Sequence, residues 1–196
     1  MKQFSDSCEQ NKQPILEVLR EYVSNKSKLL EIGSGTGQHA VFFAEQFPHL
    51  SWQTSDLLES HASIRAWISD SSANNVLVPL ELDVNQAQLP DAHYDLVYSA
   101  NTTHIMDWPS VVNLFCIVGH CLKPGGVFCL YGPFNYEGNY TSDSNAQFDQ
   151  WLKMRDPESG IRDFEALEEQ ADINGLRLIA DHAMPANNRT LVWQKI

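Results

Sequence analysis

A chain of 196 residues is long enough for one domain with a full core, and a content of 43% apolar and 19% charged residues excludes a disordered segment. The net charge of −12, with 13 Lys and Arg scattered along the chain, argues against a protein that grips a nucleic acid backbone. No apolar run approaches the roughly 20 residues of a membrane span, and the first residues lack the apolar centre of a secretory signal, so the expectation is a cytoplasmic protein without membrane contact.

Phe4 to Val23 reads as a polar loop that becomes helical from about Pro14, with Ile15, Val18, Leu19 and Tyr22 on one face. Residues 1–25 then either flank the sheet or cap a ligand, with Asn11 and Lys12 as polar contacts. The next stretch, K-L-L-E-I-G-S-G-T-G from Lys28 to Gly37, organises the chain: a short buried strand, a turn with Gly33, Gly35 and Gly37 at every second position around Ser34, and a helix from Gln38 to Phe47. Glycines let the backbone turn tightly and approach a ligand, and the helix start behind them offers unpaired N–H groups. A dinucleotide fingerprint needs G-x-G-x-x-G, whereas Gln38 stands in place of its third glycine. Glu31, two residues before the first glycine, would repel a pyrophosphate but suits an ammonium group. E-x-G-x-G-x-G after a strand resembles motif I of class I S-adenosylmethionine-dependent methyltransferases, whose cofactor carries no phosphate.

Leu50 to Ser55 alternates like a second strand and ends at Asp56, 19 residues beyond Gly37, with Leu57 beside it. An acid at the end of strand two is placed to accept from ribose hydroxyls; the plain alternative is a helix cap. A helix follows over Glu59 to Ser69, then a third strand, Val76 to Leu82, which Pro79 assigns to the sheet edge. Asp83 and Val84 at its end suit an adenine amino group and ring, as in methyltransferases, or a capped turn. Tyr94 to Ala100 is a buried fourth strand, with Asn101 and His104 just beyond its carboxyl end, where open α/β sheets bind ligands. His104 is a candidate general base; the plain reading is a loop hydrogen bond.

Trp108 to Leu122 is a helix, stopped by Lys123-Pro124-Gly125-Gly126 before a strand from Val127 to Tyr131; L-K-P-G-G before a strand is a frequent mark of class I methyltransferases. Residues 132–162, rich in aromatic and turn residues with a helix from about Asn145 to Arg155, read as an insertion at the acceptor site or as a surface excursion. Phe164 to Asn174 is a helix; Leu176 to Met184 and Thr190 to Ile196 are strands joined by a five-residue turn. Cys8, Cys116, Cys121 and Cys129 form no C-x-x-C pair and read as thiols in or near apolar segments, so no metal is expected.

The whole chain resembles the methyltransferase-like protein 26 family. The matching stretches include F-S-D-S-C-E-Q-N-K-Q-P-I-L from Phe4, E-I-G-S-G-T-G-Q-H-A-V-F-F-A from Glu31, A-N-T-T-H-I from Ala100, L-Y-G-P-F from Leu130, T-S-D-S-N from Thr141, G-I-R-D from Gly160 and M-P-A-N-N from Met184. The resemblance implies a Rossmann-like class I methyltransferase fold: a seven-stranded, mostly parallel sheet with an antiparallel last strand and helices on both faces, in a single domain. It suggests convergence of Asn11, Lys12, His39, Asn101, His104, Tyr136, Arg162, Asn187 and Asn188 on one face. The expected reaction is methyl transfer from S-adenosyl-L-methionine, leaving S-adenosyl-L-homocysteine. Glu31, the glycine turn, Asp56, Leu57, Asp83, Val84 and Asn101 would hold the cofactor. His104 or Tyr136 would act as base, and Asn11, Lys12, Arg162, Asn187 and Asn188 would meet the acceptor, a small molecule or protein side chain. Two readings compete: a nicotinamide-dependent oxidoreductase, which the glycine spacing disfavours, and a catalytically silent binding module of the same fold.

Overall fold

The computed structural model describes residues 1–196. A seven-stranded sheet runs through it, built from β1 (Lys28–Ile32), β2 (Ser51–Asp56), β3 (Val76–Glu81), β4 (Tyr94–Ala100), β5 (Leu122–Gly132) and, after two short strands β6 (Phe134–Asn135) and β7 (Arg162–Asp163), β8 (Leu176–Met184) and β9 (Asn188–Lys195). The strand order is β3-β2-β1-β4-β5-β9-β8. Only β9 runs antiparallel to its neighbours β5 and β8. Strand order reverses between β1 and β4, so the crevice for a ligand opens beyond their carboxyl ends. Pro79 sits in the edge strand β3, where its missing N–H costs no ladder bond.

Both faces of the sheet are apolar because successive side chains alternate across it. Leu30, Ile32, Val97, Phe128 and Leu130 point to one core, shared with α4 (Trp108–Cys121) and α6 (Phe164–Ile173). Leu29, Leu96, Tyr98, Val127 and Cys129 point to the other, beneath α1 (Asp6–Tyr22) and α2 (Gln38–Gln46), with Ile68 of α3 (His61–Asp70) at its margin. No helix is long and apolar enough to cross a membrane.

The structure departs from the expected elements at three places. Helix α1 starts at Asp6, not near Pro14, with the Ser5 hydroxyl accepting from Cys8 N. Its first turns carry few apolar residues, so they lack the periodicity that marks a packed helix, and Pro14 is an interior residue whose missing donor leaves only the Gln10 carbonyl, on an exposed residue, without its helical bond. Leu122 already pairs with Tyr94, and pairing resumes at Val127 with Leu96. The K-P-G-G segment is thus a bulge inside β5, with Gly125 at φ 75°. The last connection is a turn over Pro185–Asn187, and β9 begins at Asn188.

Candidate functional site

A cleft of about 1320 Å³ opens at the carboxyl ends of β1 and β4. Its floor is the glycine turn, whose shape follows from three contacts. Gly33 and Ser34 both donate backbone N–H to Ser55 O, at 3.1 and 2.9 Å, and Gly35 N donates to Asp56 Oδ2 at 2.7 Å. Gly33 adopts φ 76°, and a Cβ there would lie 2.4 Å from Thr102 Cγ2. Thr102 cannot swing away freely, because its hydroxyl is bonded to Ser99 Oγ at 2.7 Å, and Ser99 donates to Ile32 O. The β1 and β4 ends are thereby locked together around the turn.

Glu31 is 2% exposed. Ser34 Oγ and Trp52 Nε1 donate to it at 2.9 and 3.0 Å, both to Oε2, while Oε1 receives no bond from the chain. Burial pushes its carboxyl up to about 7, against those two donors. Asp56 accepts from Gly35 N and Leu57 N, one on each oxygen. Asp83 accepts from Asn85 N and the Gln86 side chain. It therefore caps its turn, as the plain reading had it, and also lines the cleft. Asn101, at the end of β4, takes φ 57°, a left-handed conformation that Asn tolerates better than most residues.

Of the expected cofactor residues, Glu31, Gly33, Ser34, Gly35 and Asp56 line the cleft, as do Leu57, Asp83, Val84 and Asn101. Gly37 does not: it packs against α3, where a Cβ would meet Ile64 Cα at 2.9 Å. Among the expected acceptor and catalytic residues, His104, Asn11 and Asn188 line the cleft. Four others are engaged elsewhere. Lys12 pairs with Glu9 and lies over the Phe42 ring, facing a neighbouring groove. Tyr136 donates to Asp181 Oδ2 at 2.8 Å and stacks on Phe164; burial and that carboxylate push its hydroxyl upward, the wrong direction for a base. Arg162 gives its donors to the carbonyls of Thr103, Met106 and Glu158, fastening the loop that carries His104 from behind. Asn187 bonds Ser144 and Asn145 and stays off the wall.

Two histidines are buried in the cleft wall. His104 is 5% exposed, its Nδ1 has no hydrogen-bond partner, and its ring meets Phe148 edge-on at 5.3 Å. Burial, then the Arg162 charge, lowers it to about 4. His39, named in the sequence only among scattered polar groups, sits between Asn11 Oδ1 at 2.7 Å and the Tyr98 hydroxyl at 3.2 Å, and burial lowers it to about 4. Since Asn11 Oδ1 only accepts, His39 Nε2 carries the proton and Nδ1 accepts from Tyr98. Phe148 carried no signal in the sequence, being an ordinary helix position, and Thr102 stood out only as part of the A-N-T-T-H-I stretch.

These shifts set a stability profile. Each histidine binds a proton more readily unfolded than folded between about 4 and 6.5, so each makes stability rise with pH there; Glu31, shifted the other way, makes it fall between about 4.5 and 7. Two against one leaves an expected net gain of about 1 kcal/mol per pH unit between about pH 4.5 and 6.5. Urea unfolding across that range measures it, and a flat profile would contradict the buried, neutral state of both rings.

The cleft has an unusual charge. Seven carboxylates line it and no Lys or Arg does. None of the seven is in an ion pair.

Strand order, the antiparallel β9 and a glycine-floored cleft at the β1/β4 switch point define the class I methyltransferase fold. Solved structures agree. An O-methyltransferase family protein from Burkholderia thailandensis superposes with a TM-score of 0.82 at 16% identity, over 94% of this chain and 56% of that one. The S-adenosylmethionine-dependent methyltransferase SibL, in its apo form, gives 0.81 at 18% identity, over 96% of this chain and 55% of that one. The chain belongs to the family DUF938, described as a protein of unknown function, which matches residues 2–195. It is also 28% identical over 114 residues to a malonyl-[acyl-carrier protein] O-methyltransferase of Paenibacillus sp. (strain JDR-2), a match over 56% of this chain and 41% of that protein. The chain thus spans about half the length of these relatives.

Proposed function

We propose that this protein moves a methyl group from S-adenosyl-L-methionine to a small-molecule acceptor and releases S-adenosyl-L-homocysteine. The observation that carries the reading is Glu31, a buried carboxylate on the cleft wall with one oxygen free of protein donors. An ammonium group completes such a carboxylate. A pyrophosphate would meet seven carboxylates and no Lys or Arg, which counts against a nicotinamide dinucleotide. The acidic wall also gives no reason to carry over the malonyl-[acyl-carrier protein] acceptor of the Paenibacillus enzyme. The resemblance to the methyltransferase-like protein 26 family and the methyltransferases among the relatives support the same reading. Four free cysteines suit a cytoplasmic setting.

Glu31 and the backbone of Gly33, Ser34 and Gly35 would hold the amino acid end of the donor. Asp56 and Leu57 would hold the ribose, and Asp83 and Val84 the adenine. The donor, when bound, supplies a methyl carbon already activated by a sulfonium charge. The chain's own work is then orientation, exclusion of water and removal of one proton. His104, neutral at physiological pH, would take that proton from the acceptor. Asn11 and Asn188 would orient the acceptor, residues 1–25 would cap the cleft through α1, and residues 132–162 would wall its acceptor side.

Calorimetric titration with S-adenosylmethionine, S-adenosylhomocysteine and NAD tests the reading. Micromolar binding of the first two and none of NAD is expected. Asp56→Ala should weaken binding by at least about tenfold, since it removes both an acceptor for ribose and the anchor of Gly35 N. Absence of binding by the sulfonium pair would sink the proposal.

A further inference from the structure

Part of the cleft lies beyond the residues assigned to the donor. It is walled by the loop after β4, by α5 (Asp143–Arg155) and by residues 156–158. Phe148 forms a flat wall there, edge-on to His104 and stacked on Trp151 at 5.8 Å and 18°. His104 lines the same wall, its Nδ1 buried without a hydrogen-bond partner. Asp156 and Glu158 line the cleft beside α5, and Asp107, which accepts from Ser110 N at 2.8 Å, lines it at the start of α4; none of the three is in an ion pair. The nearby cations are committed elsewhere. Arg162 gives its hydrogen bonds to three carbonyls off the wall, and although its charge reaches Asp107 and Glu158 it bonds neither carboxylate; Lys153 pairs with Asp149 at 2.6 Å, and Arg155 lies over the Trp151 ring at 4.6 Å.

We propose that this part of the cleft selects an aromatic acceptor bearing a positive charge and no negative one, its ring against Phe148 and its cationic group toward Asp107, Asp156 and Glu158. A cleft lined by one sign of charge focuses its field, so a cation is drawn in and an anion held off. Carboxylate, phosphate and polyanionic acceptors are excluded by the same field. The ring finds apolar area at Phe148, and its nucleophile comes to the unpaired imidazole of His104. The proposal rests on the methyl-donor reading, and its test separates the two.

The protein is first loaded with S-adenosylhomocysteine, and that binding is measured by calorimetry. Tyramine, p-cresol and 4-hydroxyphenylacetate are then titrated; they share a phenol ring and differ in charge. Tyramine should bind about threefold to tenfold tighter than p-cresol at low ionic strength, 4-hydroxyphenylacetate weaker than p-cresol, and the spread should collapse in about 0.5 M salt. The double variant Asp156→Asn, Glu158→Gln should compress the ratio of tyramine to 4-hydroxyphenylacetate affinity at least about threefold and leave p-cresol unchanged. Asp156→Asn keeps a side-chain oxygen for Glu158 N, which Asp156 Oδ1 now accepts at 3.0 Å, so the loop's turn survives. An anion that binds as well as the cation, a ratio unmoved by the double variant, or no binding of any of the three to loaded protein would overturn the proposal. Failure to bind S-adenosylhomocysteine would sink the methyl-donor reading, and this proposal with it.

Discussion

Gly37→Ala is expected to destabilise the protein by about 3 kcal/mol, a fall of roughly 10 °C in melting temperature. Two costs combine. The residue sits at φ 96°, where a Cβ crowds its own backbone, and the added carbon would lie 2.9 Å from Ile64 Cα and 3.4 Å from Ile64 O. Those are backbone atoms of α3, so no rotamer change relieves the clash and the helix must move. Gly33→Ala should behave differently. It shares the backbone cost, at φ 76°, but its added carbon would meet only the Thr102 side chain, with the methyl at 2.4 Å, on the cleft floor. Loss of cofactor affinity should there exceed loss of stability, and Thr102→Ser, which deletes that methyl and keeps the hydroxyl bonded to Ser99, should restore part of it. The same second substitution should do nothing for Gly37→Ala. Thermal unfolding and calorimetry of the four variants separate the two glycines; equal rescue by Thr102→Ser in both would refute the distinction.

That contrast also marks how far the sequence could be read. The period of the strands, the glycine turn and the acid at the end of β2 are local features, and they suffice for the fold and for the cleft lining at the ends of β1 and β2. Spacing could not tell that Gly37 faces a helix and Gly33 the cleft, because the distinction depends on α3, nearly thirty residues later. Gln38 is a similar case. It replaces the third glycine of a dinucleotide fingerprint, and its side-chain amide clasps both backbone groups of Ser5, tying the start of α1 to the start of α2. The acceptor side was least legible. Arg162 and Tyr136 look available as a sequence, yet their partners lie 59 and 45 residues away, and only the folded chain shows them already engaged. Burial of His39 and His104 is equally non-local. A histidine in a string carries its ordinary affinity for protons, and a wall of packed side chains lowers it.

Glu31→Gln should make the protein more stable and less able to bind its cofactor. The carboxyl is raised to about 7 by burial, from an ordinary value of 4.5. A raised acid stabilises the fold fully below its unfolded value and loses that contribution as pH climbs through its folded value. At about pH 8 the wild-type fold therefore carries a penalty of about 3 kcal/mol for an ionised, buried Glu31, which a neutral glutamine of the same shape removes. Its amide oxygen can still accept from Ser34 and Trp52, leaving the amino group where Oε1 stood. Affinity for S-adenosylmethionine should fall by about 30- to 100-fold, because the charge-assisted bond to the ammonium is lost and two donors now face each other. In the wild type, binding should expel close to one proton at about pH 6 and almost none at about pH 8, since the ammonium requires the ionised carboxylate. Titrations in buffers of different ionisation heat measure that proton, and it should vanish in Glu31→Gln. A variant that loses stability at pH 8 would show that the carboxylate is there for the fold; one that gains stability and loses affinity would show a charge kept buried for the ligand, at the expense of the core around it.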